Sequence, residues 1–526
     1  MSNKIQSKRW RQILAWAVAC LFLLGFFFPL LGAWTGAIVG VWFVGTQRPR
    51  RGFLWQMVLT FLPSLVANWR KFPLAGPEPA LEYVAWMLLV ALLTVLPFLF
   101  HRLTSPRLPG LLSTLPLPLW GAVLQTAALA WLPANVLSVY SLAQSQRANT
   151  LLLHIGSAFG IGAVAFLIYW FAAVVVWMWN HEFRTSQIAA GASLFAAVCV
   201  LAAVLPETLS AGAIFPWISL GGALTLSAWA LLRPGKHRLW ADRPEIVAKL
   251  QSPYTGDPLH VVREDDREAL VSPSGERFQI RHGIPALLKP EELTGPNRKY
   301  NYLYETIGGF YDDIQRVVAA LSGMDRADYV MSYLGLLEIK PGDSVLETSV
   351  GTGLNFKYLP RGIKRAGLDL SAEMLVNCQA NLRRWEMDAD LFLGNAESLP
   401  FTDASFDVVF HTGGINFFSD RAKAIREMIR VAKPGSLILI GDETEEHVKN
   451  AYEKGPITSR YFKHRKEAVT APIDLVPADM QEIRLSIWNG RFYALTFRKP
   501  AAEDQPSLSS GSEASTSTSP LSTRLA

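Results

Sequence analysis

The sequence predicts a multi-domain fold in which a polytopic α-helical membrane domain precedes an α/β domain with a mostly parallel sheet. Half of the 526 residues are hydrophobic, and long apolar runs are concentrated before residue 233. Beyond that point, short apolar strand-like runs alternate with helical patterns, which is typical of parallel α/β sheets. Near the C-terminus, two strand-like runs flank Asn489 and Gly490, a dipeptide that favours a two-residue antiparallel hairpin turn.

The N-terminal region, residues 1–233, is predicted to cross a membrane about eight times. Stretches of about 20 apolar residues match the bilayer thickness. Candidate spans lie near residues 13–31, 32–46, 53–69, 83–101, 111–133, 151–180, 187–205 and 212–232. The first two can alternatively form a re-entrant hairpin. Because no small-residue cleavage site ends the first apolar run, we expect no cleavable signal peptide.

Basic residues are distributed unevenly among the loops of this region. With the N-terminus inside, the exterior loops contain Arg70, Lys71 and Arg147. The interior loops contain Lys4, Lys8, Arg9, Arg11, Arg48, Arg50, Arg51, Arg102, Arg107, Arg184, Arg233, Lys236 and Arg238. Since Lys and Arg favour cytoplasmic loops, both ends of the chain are predicted to be cytoplasmic. We therefore expect an integral protein of the cell inner membrane.

The two halves of the chain also differ in net charge. Residues 1–233 contain 14 of the 50 basic and four of the 44 acidic residues, which leaves 36 basic and 40 acidic residues for the rest. The C-terminal half therefore has no basic excess, which argues against a nucleic-acid substrate. The three cysteines, two of them in apolar segments, imply no disulfide framework.

Three polar residues interrupt the apolar spans: Gln125, His154 and Asn180. Buried polar groups in membranes are costly and often functional, so these residues can line a cleft for a lipid or quinone. Alternatively, they form ordinary hydrogen bonds between helices. No Asp lies in any predicted span, which weakens the hypothesis of an ion-coupled transporter.

Three segments of the predicted membrane region read LSTLPLPL (residues 112–119), YSLAQSQ (140–146) and GIGAVAFLIYWF (160–171). On these segments, residues 111–183 resemble the membrane helices of apolipoprotein N-acyltransferases. In that family a catalytic domain lies between the last two membrane helices. Here that place contains only the short loop 206–210. The resemblance therefore implies a membrane scaffold without the acyltransferase chemistry.

Residues 234–292 form a polar linker that resembles the small zinc-ribbon modules preceding some methyltransferases. The four positions that carry zinc ligands in such modules are Ser252, Thr255, Ser272 and Gly275. None offers a thiolate or an imidazole, so we expect no metal and a β module that acts as a spacer or docking surface. His282 is expected to be structural.

Three loops that follow predicted strands contain the candidate ligand-binding residues of the C-terminal half. Residues 344–355 read SVLETSVGTGLN, a strand that breaks into a Gly-x-Gly turn. Asp369 follows a second predicted strand, and residues 395–401, NAESLPF, follow a third. Small residues at such a turn let backbone N–H groups approach a charged, nucleotide-like ligand.

Together these loops resemble the S-adenosylmethionine (SAM) site of class I methyltransferases, particularly the quinone and lipid methyltransferase branch. The resemblance covers residues 297–499. It implies a Rossmann-like domain, at residues 293–500, with a seven-stranded sheet and a C-terminal antiparallel hairpin. Residues 501–526 are rich in Ser, Thr and Pro, and we expect them to be disordered.

The resemblance also implies roles for individual residues of the donor site. Glu347 would orient the Gly-rich loop and the methionine end of SAM. In the loop, Gly351 and Gly353 are retained, whereas Ser349 occupies the first Gly position of the family pattern. A serine fits there if its φ angle is negative, but its Cβ near the ligand can weaken binding.

Four further residues are implied on the following strands. Asp369 would accept hydrogen bonds from the ribose hydroxyls, or alternatively cap the helix that begins near Ser371. Asn395 would accept from the adenine amino group, and Ala396 would supply backbone beside the adenine ring. His411, at the end of the fourth strand, is a candidate catalytic and cofactor-binding residue that would lie near the methyl donor or acceptor, or else be a packed strand-end residue.

Upstream aromatic residues resemble the lid of quinone methyltransferases. Tyr304 and Tyr311 would contact SAM or the acceptor, and Tyr311 is a candidate catalytic residue; core packing is the alternative role. Residues 444–480 lie where the family builds its acceptor pocket, and this insert contains Tyr452, Tyr461, Phe462 and His464.

These features predict a membrane-tethered SAM-dependent methyltransferase that acts on a membrane-resident lipid or quinone precursor, with SAM as cofactor and without a metal. Methyl transfer mainly requires alignment of the acceptor and exclusion of water. A SAM-binding scaffold without turnover is the alternative, motivated by Ser349 and the cysteine-free linker module. An acyltransferase-like membrane protein is a third class.

Overall fold

The computed structural model describes residues 29–46, 49–68, 77–132, 146, 150–180, 214–232, 239–264, 267–289, 293–322, 325–454, 459, 468–488 and 490–501. Residues 13–28 of the first predicted span, the whole predicted span 187–205 and the predicted tail beyond residue 501 lie outside these residues. Contacts divide the chain into two compact units. One, here called the helical unit, comprises Met1–Asp242, Tyr302–Arg326 and Ser371–Asp388, and the other, the sheet unit, comprises Arg243–Asn301, Ala327–Leu370 and Ala389–Ala526.

Apolar helices make up most of the helical unit. They are α1 Pro29–Thr46, α2 Pro49–Asn68, α3 Pro77–Thr104, α4 Pro116–Trp131, α5 Thr150–Phe159, α6 Ile161–Asn180 and α7 Phe215–Leu232. Among the described residues, four stretches are long and apolar enough, by length and composition, to cross a membrane, namely Ala80–Arg107, Gly110–Ala128, Ile161–Asn180 and Phe215–Leu232. Ala33–Gly45 and Gly52–Val66 are shorter apolar helices.

Two predicted spans are irregular in the structure. The span predicted at 151–180 is not one helix, because it breaks at Gly160, whose φ of 85° is in the left-handed region that glycine tolerates. The span predicted at 111–133 begins with a 3₁₀ turn, Gly110–Thr114, before α4. Prolines at the start of α4 fit this change, since their missing N–H groups are tolerated only in a first helical turn.

Close approach and indole hydrogen bonds join the apolar helices. A Cβ atom at Gly121 of α4 would lie 2.2 Å from the ring of Tyr169 in α6, so only glycine permits this contact. Trp170 Nε1 donates to Thr114 Oγ1 at 3.1 Å. Such bonds satisfy polar groups within apolar surroundings. Of the polar residues predicted inside spans, Gln125 is buried, and the side chain of His154 lies outside the described part.

The C-terminal half supplies the remaining longer helices. They are α8 Gly295–Ile307, α9 Tyr311–Ser322, α10 Arg326–Leu334, α11 Ala372–Arg384 and α12 Arg421–Val431. Side-chain caps begin two of them. Ser371 accepts the Met374 amide at the start of α11, and Asp420 accepts the Lys423 amide at 2.8 Å at the start of α12. Such caps satisfy amides that have no partner within the helix.

A four-stranded antiparallel sheet forms the linker module of the sheet unit. Its strands are β1 His260–Glu264, β2 Arg267–Val271, β3 Arg277–Arg281 and β4 Ile284–Pro285, paired in that order. Leu270 and Phe278 face each other across β2 and β3 and are buried. Residues 260–285 therefore form a small β sheet, and the domain bounds 234–292 and the zinc-ribbon resemblance stay predictions.

A carboxylate joins the two turns of this module that resemble zinc knuckles. Glu276 Oε2 accepts from the Ser252 hydroxyl and, at 3.0 Å, from Thr255 Oγ1. Lys289 Nζ lies 3.1 Å from Glu276 Oε1. Ser272 Oγ accepts the Glu276 amide at 3.0 Å. Glu276 thus forms hydrogen bonds with Ser252, Thr255 and Ser272, three of the four residues at the positions where zinc ribbons carry their ligands.

We expect Glu276→Ala to open this module locally. Removing the carboxylate leaves three donors without their acceptor, which costs about 2 kcal/mol. Amide hydrogen exchange in residues 252–256 and 272–276 should therefore accelerate. Glu264→Ala is the matched control, because Glu264 is exposed and only pairs with Arg277. Equal exchange in the two variants would contradict a linking role for Glu276.

The second sheet of this unit has seven strands. They are β5 Ser344–Glu347, β6 Lys364–Asp369, β7 Asp390–Leu393, β8 Val408–Thr412, β9 Leu437–Glu443, β10 Gln481–Trp488 and β11 Phe492–Arg498. The spatial order is β10-β11-β9-β8-β5-β6-β7. The first five are parallel, and β11 is antiparallel to β9 and β10.

This sheet confirms the predicted Rossmann-like fold with a C-terminal hairpin. The hairpin turn, however, was predicted with two residues, and this was wrong. Trp488 pairs with Phe492, so residues 489–491 connect the strands, and the Arg491 amide donates to the Trp488 carbonyl at 2.9 Å. Gly490, with a φ of 64°, is adapted to such a turn.

Candidate functional site

The candidate site lies at the carboxyl edge of the parallel strands. β5 is central, and its last residue, Glu347, is in register with Gly367 of β6 and Phe410 of β8. The loops that follow β5, β6 and β8 therefore meet at one edge, where ligands bind in open α/β sheets. This arrangement brings together the predicted residues Glu347, Gly351 and Asp369.

Glu347 is a buried carboxyl group with one oxygen held by polar side chains. Asn355 Nδ2 donates to Glu347 Oε1 at 2.5 Å, and Thr412 Oγ1 donates to the same oxygen at 3.2 Å. Tyr333 orients Asn355 by donating its hydroxyl to Asn355 Oδ1 at 2.6 Å. Glu347 Oε2 is buried and has no hydrogen-bond partner among the described residues.

This environment changes the ionisation of Glu347. Burial raises the pKa of Glu347 to about 8, although the hydrogen bonds from Asn355 and Thr412 oppose the shift. The nearby Asp369 carboxylate contributes a further, smaller increase to the pKa of Glu347. A carboxyl group with an unpartnered oxygen and a raised pKa is suited to accept a cationic ligand, whose charge favours the ionised form.

The Gly-rich loop is held by its neighbours and leaves open space. Gly351 has a φ of 54° and Gly353 a φ of 80°, both in the region that favours glycine. The Gly351 amide donates to Asp369 Oδ2 at 2.8 Å, so Asp369 links β6 to the loop after β5. A Cβ atom built at Gly351 would meet no atom within 4 Å, which leaves room for a ligand beside the backbone.

Ser349 occupies its position without backbone strain. Among the described residues that are not glycine, only His282, Glu386, Ala404 and Glu482 have a positive φ. Ser349 therefore has the negative φ angle that a serine at this position requires. Its side chain is half-buried.

We expect Ser349→Gly to leave SAM binding equal or tighter, with a change of no more than about threefold. The substitution removes a Cβ atom near the loop but does not relieve strain. Isothermal titration with SAM measures the effect in the full-length protein. If the wild type binds no SAM and Ser349→Gly restores binding, the serine has inactivated the donor site.

His411 is completely buried at the end of β8. Its Nδ1 lies 3.1 Å from Thr348 Oγ1, and its ring packs edge-on against Phe418 at 5.2 Å. Burial lowers the pKa of His411 to about 3, so the imidazole is neutral near pH 7. Because so low a pKa makes a weak base, the structure favours packing over general-base catalysis. Its proximity to the methyl donor stays a prediction.

Residues 395–398 form a tight turn after β7. Asn395 Oδ1 accepts the Glu397 amide at 3.0 Å, and the Ser398 amide donates to the Asn395 carbonyl at 2.9 Å. Ala396 is buried. The adenine-contacting roles of Asn395 and Ala396 stay predictions.

Asp369, the predicted ribose acceptor, had an alternative role as a helix cap. The cap of α11 is Ser371, whose hydroxyl accepts the Met374 amide. Asp369 instead accepts the hydrogen bond from the Gly351 amide, which ties the end of β6 to the Gly-rich loop.

The lid tyrosines belong to the helical unit. Tyr304 and Tyr311 pack edge-to-face with a centroid distance of 6.0 Å. The catalytic role of Tyr311 stays a prediction. In the acceptor insert, Tyr461, Phe462 and His464 lie outside the described residues, and so does the side chain of Tyr452.

Several residues that hold the carboxyl edge of the sheet together were not predicted from the sequence. Asn355 and Thr412 hold Glu347, and Asp442 at the end of β9 accepts the amides of Gly414 and Asn416 at 3.1 and 2.9 Å. Burial raises the pKa of Asp442. A polar residue directly after a buried strand was the available signal for Thr412 and Asp442.

Glu397 is a second missed residue that joins distant segments. Its Oε1 accepts from Asn297 Nδ2 at 2.8 Å and from the amides of Ser419 and Asp420 at 2.8 and 3.0 Å. It thereby ties the start of α8 to the segments after β7 and β8. This carboxylate therefore holds these three segments together beside the carboxyl edge of the sheet.

The sheet order and the carboxylate-flanked Gly-rich loop define a class I methyltransferase domain. Residues 346–440 match the family described as methyltransferase domain. The chain is 37% identical over 132 residues to demethylmenaquinone methyltransferase from Renibacterium salmoninarum, covering 25% of this chain and 52% of that protein. It is 33% identical over 164 residues to demethylmenaquinone methyltransferase from Thermotoga maritima, covering 31% of this chain and 68% of that protein.

A crystal structure from Thermotoga maritima, described as a SAM-dependent methyltransferase and possible histamine N-methyltransferase, is also similar. The TM-score is 0.30 and the identity 20%, covering 37% of this chain and 99% of that one. The chain spans about half the length of one curated relative and two thirds of the other. The chain belongs to the SAM-dependent methyltransferase family, and SAM is its cofactor.

The residues present fit this cofactor. Glu347 Oε2 has no partner among the described residues, and the Gly351 position has open space. Glu347 would hold the methionine end of SAM, and Asp369 the ribose. When bound, SAM supplies an electrophilic methyl group. The chain's own contribution is to hold the loop through the hydrogen bond from the Gly351 amide to Asp369, beside Val350 and Phe410, which are themselves buried from water.

Proposed function

We propose that this protein is an integral membrane methyltransferase that transfers the methyl group of SAM to a quinone-type acceptor carried in the membrane. The observation that carries the acceptor class is the similarity to two demethylmenaquinone methyltransferases. A lipid acceptor is the second possibility from the same branch of the family. We further propose the inner membrane as its location, with residues 293–500 in the cytoplasm.

Contacts within the helical unit support this location. Asp313 of α9 accepts hydrogen bonds from two indoles: Trp42 Nε1 in α1 at 2.9 Å and Trp179 Nε1 in α6 at 2.7 Å. Both tryptophans lie near the helix ends that the charge distribution assigns to the cytoplasmic side. A segment of the methyltransferase half thus contacts the same ends of two apolar helices, as the proposed topology requires.

The contacts of the lid segment, which contains Tyr304 and Tyr311, support the proposal that the acceptor reaches the site from the membrane. Trp42 also packs against Phe310, with a centroid distance of 5.7 Å, directly before Tyr311. The Tyr304–Tyr311 pair therefore belongs to a segment that contacts apolar helices. Aromatic side chains at this place suit a hydrophobic ring.

The other hypotheses receive less support. The scaffold hypothesis rested partly on Ser349, whose backbone is unstrained. The resemblance of residues 111–183 to acyltransferase membrane helices, and the domain boundaries at 233, 292 and 500, stay part of this proposal.

The direct test is methylation by the purified full-length protein in detergent. With SAM and reduced demethylmenaquinone, we expect a product heavier by one methylene group, detected by mass spectrometry. Phospholipid extract is the parallel acceptor. Transfer to the phospholipid alone would overturn the quinone assignment, and SAM binding without transfer to either acceptor would favour the scaffold hypothesis.

Topology gives an independent prediction. Reporter fusions after Arg107, Arg184 and Arg238 should all report a cytoplasmic location, because these loops carry the basic excess. A fusion after Lys71 should report the exterior. An exterior signal at Arg238 would contradict the arrangement, since the methyltransferase half would then lie on the side opposite to cytoplasmic SAM.

A further inference from the structure

One carboxylate lies within the turn that the donor site is proposed to use for the adenine base. This turn, residues 395–398, is closed by two internal hydrogen bonds. The Glu397 amide donates to Asn395 Oδ1 at 3.0 Å, and the Ser398 amide donates to the Asn395 carbonyl at 2.9 Å. Ala396 and Glu397 are only 5% and 7% exposed. Because the turn is short and closed, the position of Glu397 sets the direction in which Asn395 and Ala396 face.

The side chain of Glu397 is held by donors from two other segments. Its Oε1 atom accepts from Asn297 Nδ2 at 2.8 Å and from the amides of Ser419 and Asp420 at 2.8 and 3.0 Å. The Ser419 amide also donates to Asn297 Oδ1 at 3.2 Å, and the Asn297 amide donates to Ser419 Oγ at 3.3 Å. These bonds form a closed polar network around a nearly buried carboxylate. In such a network, loss of one member weakens the others.

The network connects the turn to the starts of two helices. Asn297 lies in the first turn of α8, and Asp420 is the N-cap of α12. A further bond reaches α12 directly after the turn, since the Leu399 amide donates to Glu427 Oε2 at 2.7 Å. Residues held by helices have less freedom than residues held by loops alone. The turn is therefore fixed relative to α12 and to the start of α8.

A fixed turn matters for recognition of the base. The amino group of adenine donates a hydrogen bond, whereas hypoxanthine has an oxo group at the same place, which is an acceptor. An acceptor that cannot rotate rejects hypoxanthine, because two acceptors then face each other. A mobile Asn395 side chain can instead turn its amide nitrogen toward the oxo group. The bond from the Glu397 amide to Asn395 Oδ1 opposes that rotation.

We propose that Glu397 is a positioning residue that fixes the turn 395–398, so that the donor site selects adenine over hypoxanthine. Asn395 and Ala396 make the contacts to the base, and Glu397 acts through them. Removal of its carboxylate leaves three donors without their acceptor and releases the turn from both helices. The proposal rests on the donor site proposed above, and it does not depend on the identity of the methyl acceptor.

The test compares two ligands by isothermal titration of the full-length protein in detergent. S-adenosylhomocysteine carries adenine, and S-inosylhomocysteine carries hypoxanthine on the same ribose and homocysteine. We expect the wild type to bind the adenosyl ligand about thirtyfold more tightly, which corresponds to about 2 kcal/mol. Glu397→Ala should lower this preference to about threefold. Glu397→Gln keeps an acceptor oxygen for the same donors, so its preference should stay above about tenfold.

Asp369→Ala is the matched control, because Asp369 is proposed to bind the ribose, which the two ligands share. It should weaken the binding of both ligands equally and leave their ratio unchanged. Asn297→Ala removes one of the three side-chain and backbone donors to Glu397, so a preference of about tenfold is expected. This variant also tests the network if Glu397→Ala does not fold. Thermal unfolding verifies the fold of every variant.

Amide hydrogen exchange provides a second measurement, which needs no ligand. Residues 295–301 and 416–423 should exchange faster in Glu397→Ala than in the wild type, because they lose the bonds that join them to the turn. Residues 260–271 of the linker module should exchange equally in both proteins. Unchanged exchange at residues 416–423 would contradict the positioning role.

The outcomes separate this proposal from the proposed function. A wild-type ratio in folded Glu397→Ala, or equal binding of the two ligands by the wild type, would overturn the positioning role alone. Binding of neither ligand by the wild type would refute the donor site itself. Neither ligand carries a transferable methyl group. Absence of methylation of demethylmenaquinone would therefore refute the proposed acceptor and leave the titration result intact.

Discussion

Asp369→Ala weakens SAM binding by about 10- to 100-fold, which corresponds to about 1.5–3 kcal/mol, because two functions are lost together. The carboxylate is the predicted acceptor of the ribose hydroxyls. It also accepts the Gly351 amide at 2.8 Å, so its removal releases the loop that surrounds the cofactor. The measurement is isothermal titration of the full-length protein with SAM.

Two control variants separate these functions from general damage to the fold. Asp343→Ala removes a carboxylate at the opposite end of β5, where it accepts the Lys340 amide, and should leave SAM affinity unchanged. Asp369→Asn keeps an acceptor for the loop amide but loses the charge, so an intermediate affinity is expected. If folded Asp369→Ala binds SAM as tightly as the wild type, the assignment of this loop is wrong.

The affinity for SAM rises with pH, because Glu347 is protonated in the cofactor-free protein below about pH 8. The cationic methionine end of SAM favours the ionised carboxylate, so binding below this pKa releases a proton. The affinity therefore increases as the pH rises and levels off above the pKa. From pH 6 to pH 8 the expected gain is about 50-fold if Glu347 is fully ionised in the complex.

Glu347→Gln is the comparison that isolates this effect. It preserves the shape and an acceptor for Asn355 and Thr412, while removing the titration. Any ionisation of SAM itself affects both proteins equally and cancels in the ratio of their affinities. A constant ratio of wild-type to Glu347→Gln affinity between pH 6 and pH 8 would exclude the proposed linkage. The ratio should instead rise with pH.

The strand-end positions of the residues proposed for the donor site were largely predictable, because the strands themselves are visible in the sequence. Glu347 and Asp369 are the last residues of β5 and β6, Gly351 lies in the turn after β5, and parallel strands bring their carboxyl ends to one edge. His411 was equally visible in sequence, but its complete burial was not. Whether a strand-end histidine faces a ligand or the core depends on the helices that cover the sheet.

The sequence by itself determined the order of the elements, the apolar character of the N-terminal helices and the strand-end positions of the donor site. These properties depend on local periodicity, turn residues and charge, all of which are visible in the amino-acid sequence. It also revealed that the linker module lacks zinc ligands. Only the tertiary structure decided what takes their place, the carboxylate of Glu276, which lies 24 residues from Ser252.

The tertiary structure likewise decided which partners complete the site and its surroundings. Glu397 and Asn297 meet although 100 residues separate them, and Trp42 reaches Asp313 over 271 residues. A polar side chain becomes a ligand contact or a structural link according to which remote groups are packed against it, and only folding brings those groups together.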